Sequence, residues 1–324
     1  MISNLLIYKS GSLDPYINLA TEKLLFDTLP EHSLILYLWQ NENTVVIGKN
    51  QNPWEECSCP LMAEDGVRLA RRLSGGGAVY HDTGNLNFTF ICQSEDYDLS
   101  KQLSVIISAC GKAGIKAELS GRNDILANDR KFSGNAFYNS GGRSYHHGTL
   151  LISSDTDKVR KYLTPDSEKL RSKGVRSVSS RIINLSELSP GLTTALMADY
   201  MLSAAGDVYA LSPSPCPVPS AEETERLAKE YSAWEFLYGG TLPFSYEAKA
   251  RFSWGGAELK LNTEKGTVRS AVLYTDSMDH LLSDKVSTAL SGIRLKETDI
   301  KEALSRHLNE DIAQDILSLI KKIL

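Results

Sequence analysis

The sequence is poor in cysteine, in net positive charge and in long apolar runs, and each shortage excludes a class of protein. Five cysteines occur in 324 residues, at Cys57, Cys59, Cys92, Cys110 and Cys216, an odd set without paired spacing. That argues against a disulfide framework. Cys57-Ser58-Cys59 suggests a metal clip, but no second pair and no nearby histidine completes four ligands. No apolar stretch approaches the roughly 20 residues that span a bilayer. The start, Met1 to Tyr8, lacks a basic segment and a cleavable small-residue site, so it reads as a first strand and a cytoplasmic location is expected. A formal net charge of −5 disfavours non-specific nucleic-acid binding. No G-x-x-x-x-G-K-[ST] run occurs, which excludes a P-loop ATPase as far as that motif defines one. No internal repeat is evident.

What the chain does hold is a set of polar islands beside glycine. Arg71-Arg72-Leu73-Ser74-Gly75-Gly76-Gly77-Ala78-Val79-Tyr80-His81-Asp82 sets three glycines between a basic pair and a strand-like segment. Glycine loses the most conformational entropy on folding. The run is therefore either a nest of backbone N–H groups around an anion, with Arg71 or Arg72 adding charge-assisted bonds, or a flexible surface turn. A second island runs from Gly121 to Leu126 and on through Asp129 to Ala136, and a third from His146 to Leu151. Polar residues beside glycine at the end of an apolar run suit strand ends and hairpin turns around one pocket. His146 and His147 are a poor metal pair, because adjacent residues on a strand point to opposite faces.

Apolar spacing predicts a helix over Ile17 to Leu29 after the start signal Asp14-Pro15, and another over Leu103 to Ala113 with a stop at Gly114. Leu34 to Trp39 and Thr44 to Gly48, bounded by Asn41-Glu42-Asn43, predict a hairpin, and Leu86 to Cys92 a further strand. Asn128-Asp129 is a turn that presents Lys131. Helices fall between hairpins and not between every strand, which predicts a mixed or antiparallel sheet with helices, an α+β chain, in preference to a doubly wound one. The length predicts two domains. Two stretches are candidate boundaries. Leu211 to Ser220 has proline at every second position and must be extended; Tyr238 to Ser245 is a glycine and proline cluster after the helical Ala221 to Phe236. Composition alone favours the first. Downstream, strands near Phe252, Glu258 to Leu261 and Val268 to Tyr274 precede helices rich in Leu and Ile, a small α/β unit.

Three segments, RRLSGGGAVYHDTGNLNFTF, GRNDILANDRKFSGNAF and HHGTLLIS, together resemble the lipoate–protein ligases. Similar family segments are DPYINLATEKLL from Asp14, LYLWQNENTVVIGKNQNPWEEC from Leu36, SKGVRSVSSRIINLSEL from Ser172 and FSWGGAELKLNTEKG from Phe252. The resemblance runs through nearly the whole chain in order. It implies a catalytic domain of the biotin/lipoate ligase, class II synthetase-like kind over residues 1–245 and a C-terminal accessory α/β domain over 246–324. The proline segment would then cross the surface of the large domain. It also implies an ATP-dependent ligase that converts free lipoate or octanoate to the acyl-adenylate with release of pyrophosphate. The acyl group would then pass to a lysine of an acceptor domain, in E2 subunits of 2-oxoacid dehydrogenases or the glycine cleavage H protein. A cytoplasmic monomer with no nucleic-acid or membrane partner is expected.

Such chemistry needs positioning and charge neutralisation and no enzyme nucleophile. Lys131 matches the catalytic lysine of the family's Lys-x-Ser-Gly motif; the alternative is an exposed hairpin lysine. Arg72 resembles the arginine that contacts ATP phosphates, and Ser74 the serine beside the acyl group. Gly75, Gly76, Gly77 and Ala78 would line the acyl and phosphate track, with Val79 and Tyr80 presenting backbone to adenine. Asn85 and Asn123 are hydrogen-bonding candidates or ordinary turn residues. Asp124 is the candidate for Mg²⁺, since a hard cation bridging phosphates prefers carboxylate oxygen, or else pairs with Arg122 or Arg130. His147 orients the acyl group or the lysine, or is a satisfied histidine at a strand start. The chain departs from the pattern where some members carry an arginine after the Ser-Gly-x-Ala turn: Tyr138 stands there, with Arg143 further on. It also lacks the Gly-Arg-Gly-Arg loop of biotin ligases. An ATP-independent octanoyltransferase of the same superfamily needs a cysteine nucleophile, yet Thr149 to Ser153 after His147-Gly148 contains none. A non-catalytic lipoyl-binding scaffold would not need Lys131 and the complete glycine run.

Overall fold

The computed structural model describes residues 1–49, 51–120, 124–163, 182–239, 244–275, 277, 279, 281–322 and 324. The chain forms two compact units, one of Met1–Lys49 with Gly66–Ser232 and one of Asn50–Asp65 with Ala233–Leu324. A division at 245/246 is the expectation from resemblance. The compact units part after Ser232, and the short segment around Trp54 belongs with the C-terminal residues.

In the first unit the strands are β1 (Asn4–Lys9), β2 (Ser33–Trp39), β3 (Thr44–Ile47), β4 (Arg68–Arg71), β5 (Val79–His81), β6 (Asn85–Gln93), β7 (Glu118–Ser120), β8 (Asp124–Ala127), β9 (Arg130–Ser140), β10 (Arg143–Leu151) and β11 (Pro213–Pro215). Eight of them make one mixed sheet in the order β11-β1-β2-β6-β10-β9-β8-β7, parallel between β11, β1 and β2 and antiparallel from β2 to β7. A separate sheet has the order β4-β3-β5. This is the mixed-sheet α+β architecture predicted above.

β2 is buried along its whole length, and its alternating side chains serve two layers. Leu34, Leu36 and Leu38 join Phe88, Phe90 and Val105 in the core that includes the helices Leu99–Lys112 and Thr194–Tyr209. On the other face the Tyr37 hydroxyl donates to the Asn18 carbonyl in the helix Pro15–Asp27, at 3.3 Å. That helix starts where its cap predicts: Pro15 is its first residue and the Asp14 carboxylate accepts from the Tyr16 and Ile17 amides at 2.8 and 3.2 Å. Such a cap is worth about 1 kcal/mol. The proline-rich segment takes the edge of the large sheet, where β11 needs no further N–H donors.

The predicted hairpin of β2 and β3 does not form. Both edges of β2 are taken, by β1 and β6, so β3 leaves for the other sheet. The connection is held by Asn18, whose Nδ2 donates to the Gln40 carbonyl at 2.7 Å and to Asn41 Oδ1 at 3.0 Å.

The second unit contains the antiparallel meander β12 (Phe244–Phe252), β13 (Gly255–Glu264) and β14 (Thr267–Thr275), followed by the helices Leu282–Leu290, Glu297–His307 and Glu310–Lys321. Leu259, Leu261, Val286, Leu290, Ile316 and Ile320 form its core. Trp54 joins it through an indole N–H donated to the Leu295 carbonyl at 3.2 Å. Among the described residues, no helix is long and apolar enough to cross a membrane.

Candidate active site

One cleft in the first unit encloses about 670 Å³, open space at its mouth included. It runs across the large sheet. Trp39 on β2 lies opposite Asn87 on β6, Asn87 opposite Thr149 on β10, and Gly134 on β9 opposite Asp124 on β8. The row is joined where the Gly134 amide meets Thr149 Oγ1 at 3.4 Å. Opposed residues share a face, and strands sit about 4.8 Å apart, so Trp39 and Gly134 are about 14 Å from each other along this row.

Lys131 stands at the Gly134 end. Asn128 and Asp129, with φ of 47° and 59°, form the two-residue turn between β8 and β9, the left-handed pair a tight hairpin needs. A bulge opposite Ile125/Leu126 shifts the register, so that Lys131 and Gly134 both reach the cleft while Phe132 is buried in the core. A Cβ on Gly134 would sit 3.0 Å from Lys131 Nζ, so glycine here leaves the lysine room at the cleft. Lys131 Nζ binds Asp124 Oδ1 at 2.7 Å. Asp124 thus pairs with Lys131, while Arg130 Nη2 binds Glu187 Oε2 at 3.1 Å; Arg122 lies outside the described residues.

The glycine run forms the rim. Arg72 is buried, and its donors go to the carbonyls of Val46 at 3.2 Å, Gly75 at 2.7 Å and Gly77 at 2.7 Å, and to Ser74 Oγ at 3.1 Å. Burial pushes its pKa down to about 10. The side chain that the resemblance assigns to phosphate therefore braces the loop. Gly76 has φ of 92° and its Cβ would stand 2.9 Å from Arg72 Nη2, so any larger residue meets both backbone strain and a clash.

Arg72, Gly76, Gly77, Ala78, Val79, Lys131 and His147 all line the cleft; Ser74, Gly75, Tyr80, Asn85 and Asp124 do not. Ser74 is buried beside Arg72, and Gly75 is exposed with its carbonyl accepting from Arg72. Tyr80 is buried, with its hydroxyl on Asn43 Oδ1 at 2.9 Å, and Asn85 is buried two residues before Asn87 on the same face of β6, the two amides bonded at 2.8 Å. Asn123 lies outside the described residues. Among them, no group of three or more His, Cys, Asp or Glu is placed to hold a metal.

The two histidines diverge as their spacing predicts. His146 faces Gln102 and Asn135 at 3.1 and 2.8 Å. His147 joins a buried relay: its Nδ1 donates to Glu22 Oε1 at 2.8 Å and its Nε2 meets Ser74 Oγ at 2.7 Å, with Thr89 Oγ1 donating to Glu22 Oε1 at 2.6 Å. Both ring nitrogens are used within the protein, so His147 contributes its ring as cleft wall and steadies Ser74. Sequence reasoning missed Glu22, Trp39, His81 and Asn87. No local signal marks them, since Glu22 and His147 meet across most of the domain's sequence.

His81 and His146 are fully enclosed, and burial, aided for His81 by the charge of Arg72, pushes both pKa values down to about 3. Their ordinary value is 6.5. The unfolded chain therefore takes up protons that the folded one refuses between pH 6.5 and about 3. Stability is full above this window and falls as the pH drops through it, at up to about 1.4 kcal/mol per pH unit for each histidine. Urea titrations from pH 7.5 to 4.5 should show this slope, and replacing both histidines by glutamine should flatten it; an unchanged slope would remove the histidines as its source.

The lipoyl protein ligase A/B catalytic domain family matches residues 14–206. The chain belongs to this family. A second family, the bacterial lipoate protein ligase C-terminus, matches residues 241–322. Among solved structures, LipL1 of P. falciparum in complex with lipoate is 29% identical, with a TM-score of 0.65, over 98% of this chain and 100% of that one. A bi-partite lipoate protein ligase of Thermoplasma acidophilum, studied with its E2 lipoyl domain, is 25% identical with a TM-score of 0.63, over 73% of this chain and 96% of that one. A lipoate-protein ligase A bound with ATP, 24% identical over 71% of this chain and 94% of that one with a TM-score of 0.59, shares the fold.

Proposed function

We propose that this chain is an ATP-dependent lipoate–protein ligase. The observation that carries the proposal is the cleft itself: a lysine at one end, a glycine rim beside it, a largely apolar trough leading away, and, among the described residues, no cysteine in its lining. Cys92 and Cys110 are buried in the core with thiols pushed up to about 12 by burial, and Cys216 is pushed up to about 11. Cys57 and Cys59 belong to the other unit. A protonated, enclosed thiol is a poor nucleophile, which disfavours a cysteine-based acyltransferase. Ser74 has the histidine and carboxylate of a triad, but it lies outside the cleft wall.

In the first step the acid's carboxylate oxygen attacks the α-phosphorus of ATP, the bond to the β-phosphate breaks, and pyrophosphate leaves. In the second, the acceptor lysine's amine attacks the carbonyl of the mixed anhydride, the bond to AMP breaks, and the amine proton goes to solvent. Lys131 turns from Asp124 to the carbonyl and phosphate oxygens in both steps. Mg²⁺ needs few protein ligands when phosphates supply the rest; Asp124 would hold it, and it would neutralise phosphate charge. Lipoate and ATP bound in related structures, and the E2 lipoyl domain studied with a related ligase, support the choice of substrates and of lipoyl-acceptor domains as partners.

Intact-mass measurement of an apo acceptor domain incubated with this protein, ATP, Mg²⁺ and lipoate should show one lipoyl addition. Omitting ATP should abolish it, while replacing all five cysteines should not. Transfer from a carrier-protein thioester without ATP that stops on changing one cysteine would establish the acyltransferase instead.

A further inference from the structure

The Trp39 end of the cleft, about three strand spacings from Lys131, is lined by Leu19, Val46 and the Trp39 indole, yet it holds two buried polar atoms without a partner among the described residues, His81 Nε2 and Asn87 Nδ2. His81 and Asn87 are 3% and 1% exposed. The polarity of His81 follows from the network behind it. Asn18 Nδ2 is fixed as a donor by the carbonyls of Ser12 and Gln40, at 3.0 and 2.7 Å, and also meets Asn41 Oδ1 at 3.0 Å. Asn41 must therefore present its Nδ2 to His81 Nδ1, 3.1 Å away. His81 Nδ1 accepts, so the proton of the neutral ring sits on Nε2. Asn87 is bonded through one amide atom to Asn85 at 2.8 Å, and its other amide atom is a second buried polar group turned to the cleft. A buried donor without an acceptor is costly, and a site built around one rejects ligands that leave it unpaired.

We propose that His81 and Asn87 are specificity residues that select acids bearing a lone-pair acceptor, sulfur or oxygen, at the end far from the carboxylate, over acids ending in plain alkyl. The selection rests on the ligase reading above. It is an orientation-locked recognition: two backbone carbonyls, through two asparagines, decide which nitrogen of His81 carries the proton. Burial keeps that ring neutral throughout the physiological range, so the donor is not traded for a charge.

The test is the ratio of dissociation constants for octanoate and 8-hydroxyoctanoate, measured by calorimetry on the full chain without nucleotide, with lipoate as a third ligand. The wild type should bind the hydroxy acid at least about tenfold more tightly than octanoate, since one net hydrogen bond is worth about that factor. His81→Phe, which keeps a ring and loses the donor, should bring the ratio near one. His81→Gln, whose amide reaches the place of Nε2, should keep it. If His81→Phe does not fold, Asn87→Leu gives the same reading by lowering the ratio. A wild-type ratio near one, a ratio unmoved in His81→Phe or Asn87→Leu, or one lost equally in His81→Gln would overturn the proposal. Because binding is read without ATP, a lack of adenylate formation would count against the ligase reading alone.

Discussion

Lys131→Ala is expected to fold as the wild type does and to lose lipoate-dependent pyrophosphate exchange by about a thousandfold. The side chain is the cation at the reacting end of the cleft, and a contact between opposite unit charges at about 4 Å with an effective dielectric near 20 is worth about 4 kcal/mol. Loss of that contact from the transition state alone is nearly three powers of ten in rate. Stability should barely change, because Lys131 and its partner Asp124 are 37% and 30% exposed, and such ion pairs contribute at most about 1 kcal/mol. Exchange within tenfold of wild type, in a protein of unchanged melting temperature, would remove Lys131 from the catalytic role.

Gly48→Ala should damage both stability and ligand binding although Gly48 is outside the cleft lining. A Cβ at this position would lie 2.3 Å from the Gly76 carbonyl oxygen and 3.2 Å from the Gly75 carbonyl carbon. Both obstacles are backbone, so the rim itself must move. The carbonyls of Gly75 and Gly77 are what Arg72 holds, and a displaced rim loses that brace as well. Overpacking of this kind costs about 1–3 kcal/mol, which lowers the melting temperature by several degrees in a domain of this size. Lipoate affinity should fall with it. Gly11→Ala is the control, since its Cβ would meet nothing within 4 Å. Equal melting temperatures and affinities in the two variants would show that the rim does not depend on this contact.

What the sequence by itself determined is whatever depends on near neighbours. Asp14-Pro15 caps and starts a helix because a carboxylate can reach amides two and three residues ahead. Asn128-Asp129 turns the chain beneath Lys131 because those residues tolerate left-handed backbone. Alternating prolines confine residues 213–215 to a sheet edge because they lack N–H groups, and His146 and His147 part because successive strand residues face opposite ways. The family motifs likewise brought Arg72, Gly76 to Val79, Lys131 and His147 into view, and the fold brings these into one cleft. Only tertiary structure decided the rest. β2 pairs with β1 and β6 instead of β3, and the segment around Trp54 leaves the unit that flanks it in sequence. Arg72 spends its donors on carbonyls, Asp124 meets Lys131, and Glu22, Trp39, His81 and Asn87 complete the site. In each of these the partner is chosen by which buried surfaces and unpaired polar groups face each other after packing, and propensity or spacing along the chain carries no record of that choice.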